Sequence, residues 1–151
     1  MKTPTHRELA SRLQARGLKC TPQRLAIYEA LTASEAHPSA DELYRAVAPR
    51  HPMLSRNTVY QTLEALTAAG LAHSIRTGRS HARYDGNIDA HHHMVCLRCD
   101  HVEDFHDDAL EGLAPPARLR RAYRVVHHRV EFYGYCKHCD HRTPRGTRAS
   151  G

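Results

Sequence analysis

Apolar positions along the first 70 residues recur at helical spacing in four stretches, each bounded by residues that start or stop helices. Thr5 with Glu8 makes a capping box, Leu9 and Leu13 follow on one face, and Gly17 closes the stretch. Thr21 before Pro22 is an N-cap with proline in the first turn, and Leu25, Tyr28 and Leu31 share a face. Ser39 with Glu42 is a second capping box, with Leu43 and Val47 as the apolar stripe and Pro49 as the stop. Ser55 caps a fourth helix that runs through Val59, Leu63 and Leu66 to Gly70. The period then changes, since 71–75 and 82–84 are short strand-like runs around Thr77-Gly78-Arg79, a hairpin carrying Arg76, Arg79 and Arg83. Helices followed by a basic hairpin describe a winged helix-turn-helix, whose last helix enters the major groove. A small helical bundle with an inert hairpin fits the same pattern.

Beyond the hairpin, 85–89 reads as a linker, and 91–97, 102–105 and 123–133 read as strands. In the last of these Val126, His128, Val130 and Phe132 alternate against His127, Arg129, Glu131 and Tyr133. A short helix at most fits 107–113, because Pro115-Pro116 interrupts any helical continuation. The expected fold class is α+β: a winged-helix domain over 1–84, the linker, a small mixed α/β domain over 90–140, and a basic, disordered tail over 141–151. The second domain is too small to bury much core, so a metal staple or a partner subunit should support it.

Composition sharpens this outline. The 151 residues, 40% hydrophobic and 25% charged, exclude a collagen-like or wholly disordered chain. The net charge of +6 is unevenly spread: up to Asp85 there are 12 basic and 7 acidic residues, net +5, and after it 10 and 9, net +1. The front half is therefore the part expected to face a polyanion such as DNA. No apolar stretch is long enough to span a membrane, and the start MKTPTHREL lacks the core of a signal peptide, so a cytoplasmic location is expected.

The 14 His and 5 Cys are the compositional surplus. Cys96 and Cys99, with Cys136 and Cys139, form two CxxC pairs, which in a reducing compartment read as metal ligands. Four thiolates suit a closed, tetrahedral structural zinc site. Cys20 lies outside the pattern. In His91-His92-His93, strand alternation puts His91 and His93 on one face and His92 on the other. Asp85, Glu103 and Asp104 can join that face if the strands pair, giving a nitrogen and oxygen set that suits iron(II) or manganese(II). A solvated His-rich edge strand is the alternative. His101, His106, His138 and His141 read as surface residues. A metallohydrolase with an activated water at the same cluster leaves the winged helix and the basic front half unexplained.

Thr21-Pro22-Gln23-Arg24, the run AHPSADELY over 36–44, the stretch 55–66 with Thr58-Val59-Tyr60, Ala69-Gly70-Leu71, the histidine cluster and both CxxC pairs together resemble the ferric uptake regulator family. The resemblance extends from about Leu9 to Cys139 and is strongest to the peroxide-responsive repressor branch. It implies a homodimeric, metal-dependent repressor of double-stranded DNA operators, not an enzyme, with structural zinc and no organic cofactor. It also implies a regulatory iron(II) or manganese(II) held by His37, Asp85, His91, His93 and Asp104. Peroxide would oxidise the iron form at His37 or His91 and release the operator, whereas the manganese form would resist. Glu is more usual than Asp at position 104 in the iron-uptake branch, and an iron- or manganese-responsive repressor of uptake genes is the alternative function. Two departures from the pattern stand out: Pro115-Pro116 shortens a helix, and Ala90 replaces a histidine of an accessory metal site to which His92 and His128 would belong. For DNA contact, Ser55, Arg56, Asn57, Thr58, Tyr60 and Gln61 open the fourth helix. Arg56 and Asn57 are suited to base edges and Thr58 and Tyr60 to phosphate, while Arg79 and Arg83 would touch backbone.

Overall fold

The computed structural model describes residues 3–78 and 81–140, so Arg79, His141 and the tail lie outside the described residues. The chain divides into two compact units that meet between Asp89 and Ala90. The first holds α1 (His6–Ala15), α2 (Pro22–Thr32), α3 (Ala40–Val47), a 3-10 turn (Ala48–Arg50), α4 (Arg56–Ala68), β1 (His73–Ile75) and β2 (Arg83–Asp85). The second holds β3 (His92–Cys96), β4 (Val102–Phe105), α5 (Asp108–Glu111), α6 (Ala117–Ala122), β5 (Glu131–Gly134) and α7 (Lys137–Asp140).

Local chemistry sets the helix limits in the first unit. Both capping boxes form, at Thr5 with Glu8 and at Ser39 with Glu42, and the Thr21 and Ser55 side chains accept from the backbone N–H of Arg24 and Thr58. Gly17 and Gly70 end α1 and α4 at φ of 72° and 69°, a left-handed conformation that other residues adopt only with strain. The Arg16 guanidinium donates to the Ala69 carbonyl at 2.8 Å, tying these two helix ends together. α4 buries Val59, Leu63 and Leu66 against Leu9, Leu13 and Tyr28, and keeps Arg56, Asn57, Tyr60 and Gln61 exposed.

β1 and β2 form the expected hairpin, with His73 opposite Asp85 and Ile75 opposite Arg83. Its first strand starts later than the alternation suggests, because Leu71 and Ala72 are drawn into the core instead of pairing. A bridge between Ser39 and Arg83, with the Tyr84 N–H donating to the Pro38 carbonyl at 3.0 Å, sews the hairpin to the start of α3. A winged helix results, and the inert-hairpin bundle is set aside.

The second unit is a three-stranded sheet in the order β4-β3-β5, antiparallel between β3 and β4 and parallel between β3 and β5. The strand expected over 123–133 is realised only over Glu131–Gly134. Pairing begins where the His93 N–H donates to the Val130 carbonyl; upstream the alternating residues have no neighbouring strand among the described residues, and Val126 is 73% exposed. α6 is an addition to the expected elements: once Pro116 has ended the interruption, the helix-favouring run ARLRRA forms a short helix.

The packing of α4 predicts a sharp contrast between its faces. Leu63→Ala should cost about 2–5 kcal/mol through the cavity it leaves, whereas Tyr60→Ala on the exposed face should stay within about 0.5 kcal/mol. Urea midpoints of the two variants at unchanged slope check both.

Candidate metal centres and recognition helix

Sheet topology delivers the four cysteines to one place. Cys96 ends β3, and the parallel pairing sets Gly134, the end of β5, beside it, so both CxxC turns emerge at the same end of the sheet. Each turn is closed by its own backbone: the Asp100 N–H donates to the Cys96 carbonyl at 3.0 Å with Asp100 at φ 60°, and the Cys139 N–H donates to the Cys136 carbonyl at 2.8 Å. One sulfur from each of Cys96, Cys99, Cys136 and Cys139 lies within 4.8 Å of all the others. Cys99 and Cys136 sulfurs are 3.8 Å apart, far beyond a disulfide. A tetrahedron with zinc–sulfur bonds of about 2.3 Å has edges of about 3.8 Å.

The electrostatics ask for a cation at this spot. Burial works to raise the Cys96 thiol, but backbone N–H groups of Cys136, Cys99 and Arg98 outweigh it and hold the group down at about 6. Burial and the neighbouring thiols push Cys139 up to about 12. Four close thiols cannot all ionise without a countercharge, and a dication supplies it. The Arg98 side chain braces the two turns, donating to the Cys139 carbonyl at 2.8 Å while lying 5.5 Å from the Tyr135 ring centre. The residues present therefore fit a structural zinc.

The second donor set of this unit is nitrogen and oxygen. Antiparallel register pairs His93 with Asp104 and Met94 with Glu103, so Asp104 shares the His91/His93 face and Glu103 does not. The His91 and His93 Nε2 atoms are 2.9 Å apart, and an Asp104 carboxylate oxygen lies 3.2 Å from His93 and 3.7 Å from His91. Both imidazoles are fully enclosed, at 1% and 0% exposure. Two buried nitrogens and a carboxylate aimed at one point fit a divalent metal of intermediate hardness. His92 faces the other way: its Nδ1 accepts from the Val130 N–H at 3.2 Å, and burial holds the imidazole below its ordinary range. His128, paired with His92 in the accessory-site reading, directs its Nε2 at the Leu110 carbonyl oxygen, 2.7 Å away.

In the first unit His37 and Asp85 are both buried, at 3% and 5% exposure. His37 sits at φ 49°, a left-handed conformation that a histidine holds only under constraint. The constraint is visible, since Arg83 donates from Nη1 to the His37 carbonyl at 3.3 Å and to the Glu42 carboxylate at 2.7 Å. The Ser39–Arg83 bridge and the hydrogen bond from the Tyr84 N–H to the Pro38 carbonyl lay the segment after His37 beside the strand that ends at Asp85. The Asp85 carboxylate also accepts the Asn87 N–H at 2.7 Å. Arg83, expected on the outside of the wing, thus turns inward.

On α4 the Ser55 hydroxyl is occupied by the Thr58 N–H at 3.0 Å and the Thr58 hydroxyl at 2.8 Å, so both side chains serve the helix start. Arg56 pairs with Asp41 and lies 4.7 Å from the Tyr44 ring centre, while Asn57, Tyr60 and Gln61 remain exposed. Asp41 and Tyr44 escape a reading of the sequence because nothing local marks an ion pair that spans 15 residues.

Comparison with known proteins agrees with the geometry. The model of the ferric uptake regulator family matches residues 15–133. The peroxide-responsive repressor of Staphylococcus epidermidis is 37% identical over 132 residues, covering 87% of this chain and 88% of that protein. That of Staphylococcus saprophyticus is 38% identical over 127 residues, covering 84% and 86%. Among solved structures, the ferric uptake regulator of Pseudomonas aeruginosa with manganese superposes with a TM-score of 0.67 at 30% identity over 84% of this chain and 96% of that one. The peroxide-sensing regulator of Streptococcus pyogenes superposes with a TM-score of 0.52 at 30% identity over 89% and 92%. The Helicobacter pylori ferric uptake regulator, at a TM-score of 0.71 and 24% identity over 93% and 97%, shares the fold. With a family model spanning most of its length and a winged helix joined to a four-cysteine unit, this chain belongs to the ferric uptake regulator family.

Proposed function

We propose that this protein is a homodimeric, cytoplasmic, peroxide-sensing repressor that binds operator DNA while a regulatory iron(II) or manganese(II) is in place, with zinc at Cys96, Cys99, Cys136 and Cys139. The observation that carries the reading is the convergence of His91, His93 and Asp104 on one point, separate from the thiol cage. His37 and Asp85 complete the proposed ligand set from the first unit; both are buried there, and Arg83 donates to the His37 carbonyl. The peroxide branch is supported by the names of the staphylococcal relatives and by a carboxylate at 104 that is Asp. Solved ferric and manganese uptake regulators at 30% and 32% identity favour the second reading, a repressor of metal-uptake genes. Family members are transcription regulators, which weighs against a hydrolase. No helix among the described residues is long and apolar enough to cross a membrane.

Iron(II), held by the proposed ligands, would supply the electrons for reducing peroxide. The protein's part is to hold the imidazoles of His91 and His93 edge to face, 4.7 Å between centres and closed to bulk water, as the side chains that would line the metal. Losing one imidazole donor weakens the set, and through thermodynamic linkage weakens DNA affinity by the same factor by which DNA strengthened metal binding. On DNA, Arg56, Asn57, Tyr60 and Gln61 offer exposed side chains from the start of α4, and Ser55 and Thr58 fix that start and meet phosphate beside its N-terminal N–H groups.

Two outcomes test this. His93→Ala should retain the zinc yet lose the metal-dependent part of its affinity for DNA fragments selected from a random pool by the manganese-loaded protein, a loss of about 5–150-fold in a binding titration. Mass spectrometry of the iron(II) form after peroxide should show one added oxygen on a peptide containing His37 or His91, with release of the selected DNA, and no change in the manganese form. An iron form that stays unmodified and bound transfers the protein to the uptake-regulator reading.

A further inference from the structure

The near-neutral charge of the second half conceals two opposed segments. Residues 86–117 carry one basic and seven acidic residues, net −6, and residues 118–151 carry nine basic and two acidic, net +7. The change of sign coincides with α6, where Arg118, Arg120, Arg121 and, just past its end, Arg124 occupy four of seven consecutive positions. All four are exposed. At 100° per residue the three on the helix lie on the arc turned away from half-buried Leu119.

Several arginines of the chain have visible duties, and these four do not share them. Arg16, Arg24 and Arg98 hold backbone carbonyls, and Arg56 and Arg83 hold carboxylates. Among the described residues Arg118, Arg120, Arg121 and Arg124 have no hydrogen bond or ion pair, although the same unit contains an acidic segment. A guanidinium without an internal partner, repeated four times in one exposed arc with no lysine among them, is the donor pattern that suits phosphate oxygens. The core of a protein interface is by contrast depleted in charge, and α6 exposes no large apolar residue of its own.

We propose that Arg118, Arg120, Arg121 and Arg124 form a second, sequence-independent DNA-phosphate surface on the zinc-bearing unit, adding electrostatic hold to the winged helix. The proposal rests on the DNA-binding reading above and requires no base contact from α6, because counterion release depends on phosphates neutralised and not on sequence. It also relocates part of the chain's nucleic-acid affinity to the half that net charge had marked as neutral.

The test uses the full-length, zinc-bound, manganese-loaded protein and a 30-base-pair duplex of arbitrary sequence, with affinity followed by fluorescence anisotropy across potassium chloride concentrations. Relative to wild type, R118Q/R120Q/R121Q/R124Q should lower the slope of log affinity against log salt by at least about 2 per bound protomer, since each phosphate contact contributes about 0.9. Affinity at the lowest salt should drop at least tenfold, and the all-lysine variant should keep most of the slope. Sedimentation and zinc content should match wild type. An unchanged slope while wild type binds DNA overturns this proposal alone. A glutamine variant that becomes monomeric also overturns it, by assigning the arginines to a contact between protomers. Absence of salt-dependent binding by wild type itself sinks the DNA-binding reading with it.

Discussion

The clustering of four thiols and of buried imidazoles, side chains that call for a metal partner, is the constraint that shapes the second unit more than apolar packing does. Its buried hydrophobic side chains among the described residues are Val95, Val102 and two cysteines, whereas His91, His92, His93 and Asp100 are buried polar groups. Buried imidazoles and thiols oppose folding unless they are partnered. A structural zinc contributes about 10–16 kcal/mol of apparent binding energy in small domains, which folding can draw upon. The placement of the CxxC turns serves this, because the parallel pairing of β3 and β5 brings cysteines almost 40 residues apart into one cluster of four thiols.

The first unit is built on the opposite principle. Leucines on α1, α2 and α4 close around Tyr28 into a core that needs no ion. That core supports a few polar devices at its surface. The Glu42 carboxylate serves both the Ser39 capping box and Arg83, and Arg83 in turn holds the strained His37 backbone. A helix cap, the wing and a proposed metal ligand thus share one small network, so a disturbance at His37 reaches the start of α3 directly. From the same first turn of α3 Asp41, and one turn further Tyr44, hold Arg56 of α4, so α3 links the proposed ligand to residues proposed to face DNA.

Features governed by near neighbours were legible in the sequence. Both capping boxes, both closing glycines and both CxxC turns depend on residues two to four apart, and all of them form. Strand alternation likewise separated His91 and His93 from His92. Where the outcome depended on pairing with something distant, periodicity was silent: 123–130 has the alternation of a strand but no strand partner among the described residues, and alternation alone left Glu103 and Asp104 both open, whereas register with β3 separates them. Arg83 and Arg56 look like any basic surface residue until Glu42 and Asp41 are seen beside them. The charge count misled in another way, since averaging over the second half erased its internal polarity.

The dependence of the second unit on its thiol cage is tested most directly by amide hydrogen exchange with and without zinc, under reducing conditions. With zinc, the amides of Cys96, Leu97 and the β3–β5 pairs should be protected, as should those of α4. After chelation the β3–β5 protection should collapse by orders of magnitude while that of α4 persists. Equal protection of β3 and β5 in the zinc-free, reduced protein would contradict the account.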